Sequence, residues 1–261
     1  MPMQEINVVS TIDQSPEPNL LYLPKTEGKV PLVVGLHTWS AYRDNQVGRM
    51  LPYAEKRQWA LLLPEFRGAN LPDNPRACEA CGSELAKQDI IDAVDQVLAD
   101  HGDMIDTDKI FLLGGSGGGH MSLLMAAYRP TLWRMVSCWC PITDLTAWHE
   151  QSSAYRPGIA ACCGGTPEEM PEEYVKRSPI SHIDAIAQGN NVVIHHGRWD
   201  GVIGSVPFTH SLNFYNALVA AHPKARVFLD IFDGGHELHY DAAFKALEKS
   251  LEVENQSTLT G

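Results

Sequence analysis

A parallel α/β fold is what this sequence predicts, and three observations predict it. Short apolar runs rich in β-branched residues recur along the chain. Longer amphipathic stretches separate them. One junction, Lys109 to Pro130, reads KIFLLGGSGGGHMSLLMAAYRP, an apolar run that passes through glycines into a helix-like segment. Continuous apolar runs are the pattern of strands buried on both faces. Strand–helix alternation implies right-handed βαβ units, with helices covering both faces of the sheet.

The elements follow in order. Strands are predicted at 20–24 (LLYLP), 31–37 (PLVVGLH), 59–65 (WALLLPE), 109–114 (KIFLLG), 135–140 (MVSCWC), 191–197 (NVVIHHG) and 226–232 (RVFLDIF). Residues 1–28 form an N-terminal extension with room for a strand or two. In GSELAKQDIIDAVDQVLADHG, residues Ala86, Ile90, Ile91, Val94, Val97 and Leu98 share one helical stripe, and Gly102 ends it. MSLLMAAY, PFTHSLNFYNALVAA and DAAFKALEKSLEV also read as helices. Residues 66–82 read as a long loop. Residues 141–190 read as an insertion, with Pro and Gly breaks, that forms part of a lid or pocket wall. Residues 252–261 read as a frayed tail, and the whole of 1–261 as one domain.

Composition excludes several functions. The chain has 261 residues, 44% hydrophobic and 20% charged, an ordinary globular balance. Its formal net charge of −12 disfavours nucleic acid and anionic membranes as partners. No apolar run approaches the roughly 18 residues of a membrane helix. The N-terminus has no basic and apolar leader pattern, so a cytoplasmic location with free thiols is expected. A homo-oligomer is compatible with all of this. The six cysteines form three close pairs, Cys78/Cys81, Cys138/Cys140 and Cys162/Cys163. Only the first has C-x-x-C spacing, so no metal is predicted. A bridge from Cys78 or Cys81 to Cys162 or Cys163 stays open.

The glycine-rich junction admits three motifs. A P-loop needs Lys and then Ser or Thr, but His120 and Met121 stand there. A dinucleotide fingerprint needs Gly or Ala where His120 stands. No cofactor is therefore expected. Gly114-Gly115-Ser116-Gly117-Gly118 does match G-x-S-x-G, the sharp strand-to-helix turn that holds a nucleophilic serine above a sheet. Glycine belongs around that turn because side chains would crowd it. The serine needs an acid and then a histidine further along the chain. Asp200 lies just past the strand NVVIHHG, and His236 just past RVFLDIF. Asp144 is the reserve acid; His195, His196 and His239 compete less well with His236, which sits in the loop directly after a strand.

At these residues the sequence resembles the catalytic domain of prolyl-oligopeptidase-like, S9-type α/β hydrolases. The resemblance runs from about Pro31 to about Leu247, through GLHTW, PEFRG, GSELAKQDIIDAV, LLGGSGGGHMSLLMA, PITD, SPISHID, HHGRWD and FDGGHE. It implies an α/β-hydrolase fold, a Ser116–Asp200–His236 triad and two backbone oxyanion donors. One donor is the N–H of Gly117. The other comes from the loop after His37, where the usual His-Gly-Gly is His37-Thr38-Trp39, so either Thr38 or Trp39 donates. His37, Arg67, Asp144, Trp148 and Trp199 are candidate pocket residues.

The chain has no room for the family's N-terminal propeller, so peptidase activity is not carried over with the fold. A carboxylesterase of small or medium soluble esters is the first expectation. An S9-type serine peptidase, exopeptidase or oligopeptidase, is the alternative, with Arg67, Arg76 or Arg198 to grip a peptide end. A non-catalytic binding protein on a hydrolase scaffold is the third.

Overall fold

The computed structural model describes residues 3–189 and 191–257. Among them, strands β1 (Gln4–Val9), β2 (Pro16–Tyr22), β3 (Val30–Leu36), β4 (Ala60–Pro64), β5 (Ile105–Gly115), β6 (Met135–Trp139), β7 (Asn191–Gly197) and β8 (Val227–Phe232) build one sheet. Their spatial order is β1-β2-β4-β3-β5-β6-β7-β8. The β1–β2 and β2–β4 pairings are antiparallel, and all the pairings from β4 to β8 are parallel. The antiparallel edge is the N-terminal extension, folded back as a hairpin. β1 escapes the sequence reading because it is an edge strand: of its side chains only Val8 is buried.

Helices α1 (Val47–Arg57), α2 (Glu84–His101), α3 (Gly117–Tyr128), α8 (Thr209–Ala221) and α9 (Tyr240–Ser257) cover the sheet. Period-two alternation divides the strands between two cores. Leu32, Val34 and Leu36 of β3 point to one core with Ile90, Leu123 and Phe214. Val33, between them, points to the other with Met50, Trp59, Phe111 and Phe244. α1 is absent from the sequence reading because Pro52 interrupts it and only Met50 and Ala54 are buried. α9 runs to Ser257, into the stretch read as a frayed tail; residues 258–261 lie outside the described residues.

The insertion holds short helices α4 (Leu145–Gln151), α5 (Arg156–Cys163), α6 (Pro171–Lys176) and α7 (Ile183–Ile186). Trp148, Ile159, Cys162 and Tyr174 pack there with Trp39 into a separate apolar cluster. All six cysteines are free thiols, so the bridge left open by the sequence is not formed. Cys78 instead donates its thiol to the Ala161 carbonyl at 3.1 Å.

Buried imidazoles tie this scaffold to pH. His120 is buried in the first turn of α3, with Nε2 2.7 Å from the Arg177 carbonyl. Burial pushes His120 and His210 each down to about 4. Unfolded imidazoles titrate near 6.5. Between those values the unfolded chain binds more protons, so stability is complete above about 6.5 and is lost as pH falls toward about 4. The limiting slope is about 1.4 kcal/mol per pH unit for each histidine. Thermal melts should therefore show the midpoint falling steadily from neutral pH toward pH 4.5. A flat midpoint across that window contradicts the buried neutral imidazoles.

Candidate active site

Three strand ends converge. β5 ends at Gly115, α3 begins at Gly117, and Ser116 stands between them at φ 56°, ψ −120°. That region is strained for any residue with a side chain. Two backbone bonds hold it: Ser116 N–H donates to the Trp139 carbonyl at 2.8 Å, and His120 N–H to the Ser116 carbonyl at 2.9 Å. The segment Leu36–Trp39 presses on the start of α3. A Cβ on Gly117 would lie 2.5 Å from the Trp39 backbone nitrogen, so only glycine permits this approach.

Asp200 follows β7 in a tight turn, with its N–H donating to the Gly197 carbonyl at 3.0 Å. Its carboxylate is buried and fully used. Oδ1 accepts from the N–H groups of Gly201 at 2.9 Å and Val206 at 3.0 Å. Oδ2 accepts from His236 Nδ1 at 2.6 Å and His196 Nε2 at 3.1 Å. Burial alone would raise this carboxyl, but the bonds from His196 and His236 outweigh it and hold the group well below the usual carboxylate range. His196 Nε2 also faces the Val206 carbonyl at 3.1 Å, so it carries the proton, and Nδ1 accepts from the Ser211 hydroxyl at 2.7 Å. The turns after β7 and β8 touch: a Cβ on Gly197 would lie 2.1 Å from the Gly235 carbonyl oxygen.

His236 and Ser116 line the same cavity, of about 230 Å³, with Thr38, Trp39, Ser40, Arg49, Trp139, Cys140, Tyr155, Glu237, Leu238 and Tyr240. Nδ1 of His236 is committed to Asp200, which leaves Nε2 as the acceptor. Among the described residues the Ser116 hydroxyl makes no hydrogen bond. Substrate-free sites often close that bond only when occupied. The sequence candidates Ser116, Asp200, His236, Gly117, Thr38 and Trp39 thus come together.

The five pocket candidates do not line this cavity. His37 is buried, stacked on Phe66 at 3.9 Å, with Nε2 2.7 Å from the Glu65 carbonyl. Arg67 is buried among carboxylates, bonded to Asp89, to Asp13 at 2.7 Å and to Glu79 at 2.9 Å. Asp144 caps α4 through the Ala147 N–H at 3.1 Å and faces a separate hollow of about 40 Å³ with His210. Trp148 lies behind the wall, edge-on to Trp39 at 4.7 Å, and donates to the Ser205 carbonyl at 2.9 Å. Trp199 is exposed, capped by Arg198, and donates to Asp233 at 2.8 Å. The other two arginines named for peptide binding are also engaged elsewhere, Arg76 with Glu17 and Glu79, Arg198 with Trp199. Sequence reasoning missed Arg49, Ser40, Tyr155, Glu237 and Tyr240.

A mostly parallel sheet with a serine on a strained strand-to-helix turn, and a carboxylate-held imidazole beside the same cavity, is the arrangement by which the α/β-hydrolase fold presents a nucleophilic serine. The chain belongs to the prolyl oligopeptidase family, whose model matches residues 83–252. The uncharacterized peptidase YtmA of Bacillus subtilis is 26% identical over 155 residues, 59% of this chain and 56% of that protein. Acylaminoacyl peptidase of Pyrococcus horikoshii superposes with a TM-score of 0.71 at 19% identity, over 90% of this chain and 37% of that one. Dipeptidyl peptidase 4 of Porphyromonas gingivalis gives a TM-score of 0.74 at 16% identity, over 96% and 35%. The chain spans little more than half of that relative and about a third of those structures. Among the described residues no helix is long and apolar enough to cross a membrane.

Proposed function

We propose that this chain hydrolyses short peptides by acyl transfer through Ser116, His236 and Asp200. The observation that carries it is the bond from His236 to a buried, fully accepting Asp200, with the imidazole and Ser116 on one cavity. The Ser116 oxygen attacks the scissile carbonyl carbon, and its proton passes to His236 Nε2. Asp200 holds the tautomer and offsets the imidazolium charge. The carbonyl π pair moves onto oxygen, then returns as the C–N bond breaks, and the leaving amine takes the proton from His236. Water repeats the sequence, giving its proton to His236 and releasing the acid, and the serine regains its proton.

The N–H groups of Gly117 and Trp39 receive the oxyanion. Of the two open choices, Trp39 is favoured because its nitrogen is the one that abuts Gly117. Each such donor contributes about 3–4 kcal/mol to the transition state.

The relatives support the peptide reading, since they carry peptidase names. Ester hydrolysis, ranked first from the sequence, becomes the second reading. The small cavity favours it, at about 230 Å³ against the roughly 300–1,000 Å³ usual for drug-sized ligands. The test compares aminoacyl p-nitroanilides with p-nitrophenyl esters of the same acyl group. Each rate is divided by that substrate's uncatalysed rate, because esters are intrinsically more reactive. A greater acceleration of the anilide supports a peptidase. Acceleration confined to the esters overturns that reading in favour of an esterase.

A further inference from the structure

The cavity beside Ser116 holds a charge that the hydrolytic steps leave idle. Arg49 lines it from the first turn of α1. A cation there opposes the positive end of the helix dipole, and no acidic residue in that turn offsets it. The flanking arginines are paired, Arg43 with Glu5 and Glu65, Arg57 with Glu248. Arg49 has no ion pair among the described residues.

The guanidinium is nevertheless positioned. It lies against the Tyr240 hydroxyl. That hydroxyl donates to Gln46 Oε1 at 2.9 Å, so it faces Arg49 as an acceptor. That single neighbour leaves most of the five guanidinium donors open. The cavity's carboxylate, Glu237, is occupied: it accepts from Gly235 N–H at 3.2 Å and pairs with His239 at 3.2 Å. The chain's net charge of −12 repels anions in general. Among the described residues lining the cavity, Arg49 carries the permanent positive charge and so suits an anion already present on the substrate.

We propose that Arg49 receives a carboxylate on the substrate. This rests on the hydrolase reading above and narrows it to substrates with a carboxylate close to the scissile carbonyl. The planar guanidinium suits that group through paired N–H donors. Two sources supply the same chemistry: the free C-terminus of a short peptide, on the leaving-group side, or the acid end of a dicarboxylic half-ester, on the acyl side.

Two matched pairs test it: a dipeptide with a free C-terminus against its C-terminal amide, and p-nitrophenyl hemisuccinate against p-nitrophenyl butyrate. The wild type should favour the carboxylate member of at least one pair in kcat/KM, by about tenfold to a hundredfold, the range of a charge-assisted hydrogen bond. The pair that responds identifies the source. Arg49→Gln should collapse the ratio, Arg49→Glu should invert it, and Arg49→Lys should keep part of it. Added salt should weaken the preference, because Arg49 is exposed. Equal rates within both pairs, a preference for the neutral members, or a ratio unmoved by Arg49→Gln overturns the proposal. Fluorophosphonate labelling separates the failures. A labelled enzyme with no carboxylate preference refutes only the role of Arg49, whereas an unlabelled Ser116 refutes the hydrolase reading and the proposal with it.

Discussion

Ser116→Ala should lower kcat by roughly four to six orders of magnitude, the span seen when a triad member is removed, and should abolish fluorophosphonate labelling. The fold should survive. The Ser116 side chain bonds to nothing among the described residues, and the bonds that hold the turn are made by its backbone. Alanine keeps the same Cβ at the same φ of 56°, so the strain is unchanged. Folding stability should therefore stay within about 0.5 kcal/mol of wild type, as for substitutions that break no contact. Parallel measurement of kcat, labelling and melting checks all three parts. Labelling of the alanine variant at the wild-type rate would mean that another nucleophile does the work.

Much of this arrangement was legible in the sequence, for a physical reason. Strands buried on both faces need continuous apolar runs, and a chain that turns sharply at their C-terminal ends needs glycine. Ser116, Asp200 and His236 each sit at such an end, so position along the chain stood in for position in space. Pocket walls obey no such rule. Arg67 and Trp148 suit a pocket wall by residue type alone, yet both are buried scaffold. Arg49 and Tyr240 stayed hidden because they come from α1 and α9, helices that meet over the core containing Met50 and Phe244. Nothing local in the sequence joins those helices. Pro52 also masked α1 itself. Thr38 and Trp39 could not be told apart from the sequence, since the choice depends on which backbone nitrogen touches Gly117.

Arg67→Met should cost about 3–5 kcal/mol of folding stability at neutral pH, the usual result of removing one partner from a buried ion cluster. The arginine side chain is fully buried, as are those of Glu17 and Asp89, whereas Asp13 and Glu79 are partly exposed. Its removal leaves two buried carboxylates near each other, with Arg76 still serving Glu17 and, among the described residues, no other ion pair at Asp89. The loss is a large share of the roughly 5–15 kcal/mol that holds a domain folded. Its pH dependence has a definite sign. Arg67 holds the Asp13 carboxyl well below its usual range, so this contribution is present above about pH 4 and is lost as pH falls further. The difference between wild type and variant should accordingly be largest near pH 7 and shrink in acid, where the abandoned carboxylates can take up protons. Urea unfolding of both proteins at pH 7 and at about pH 3, inside that window, measures this. A deficit below about 1 kcal/mol at pH 7 would put Arg67 in the class of weak surface pairs. A variant of full stability with a raised KM would return it to the substrate pocket, where its residue type first suggested it belonged.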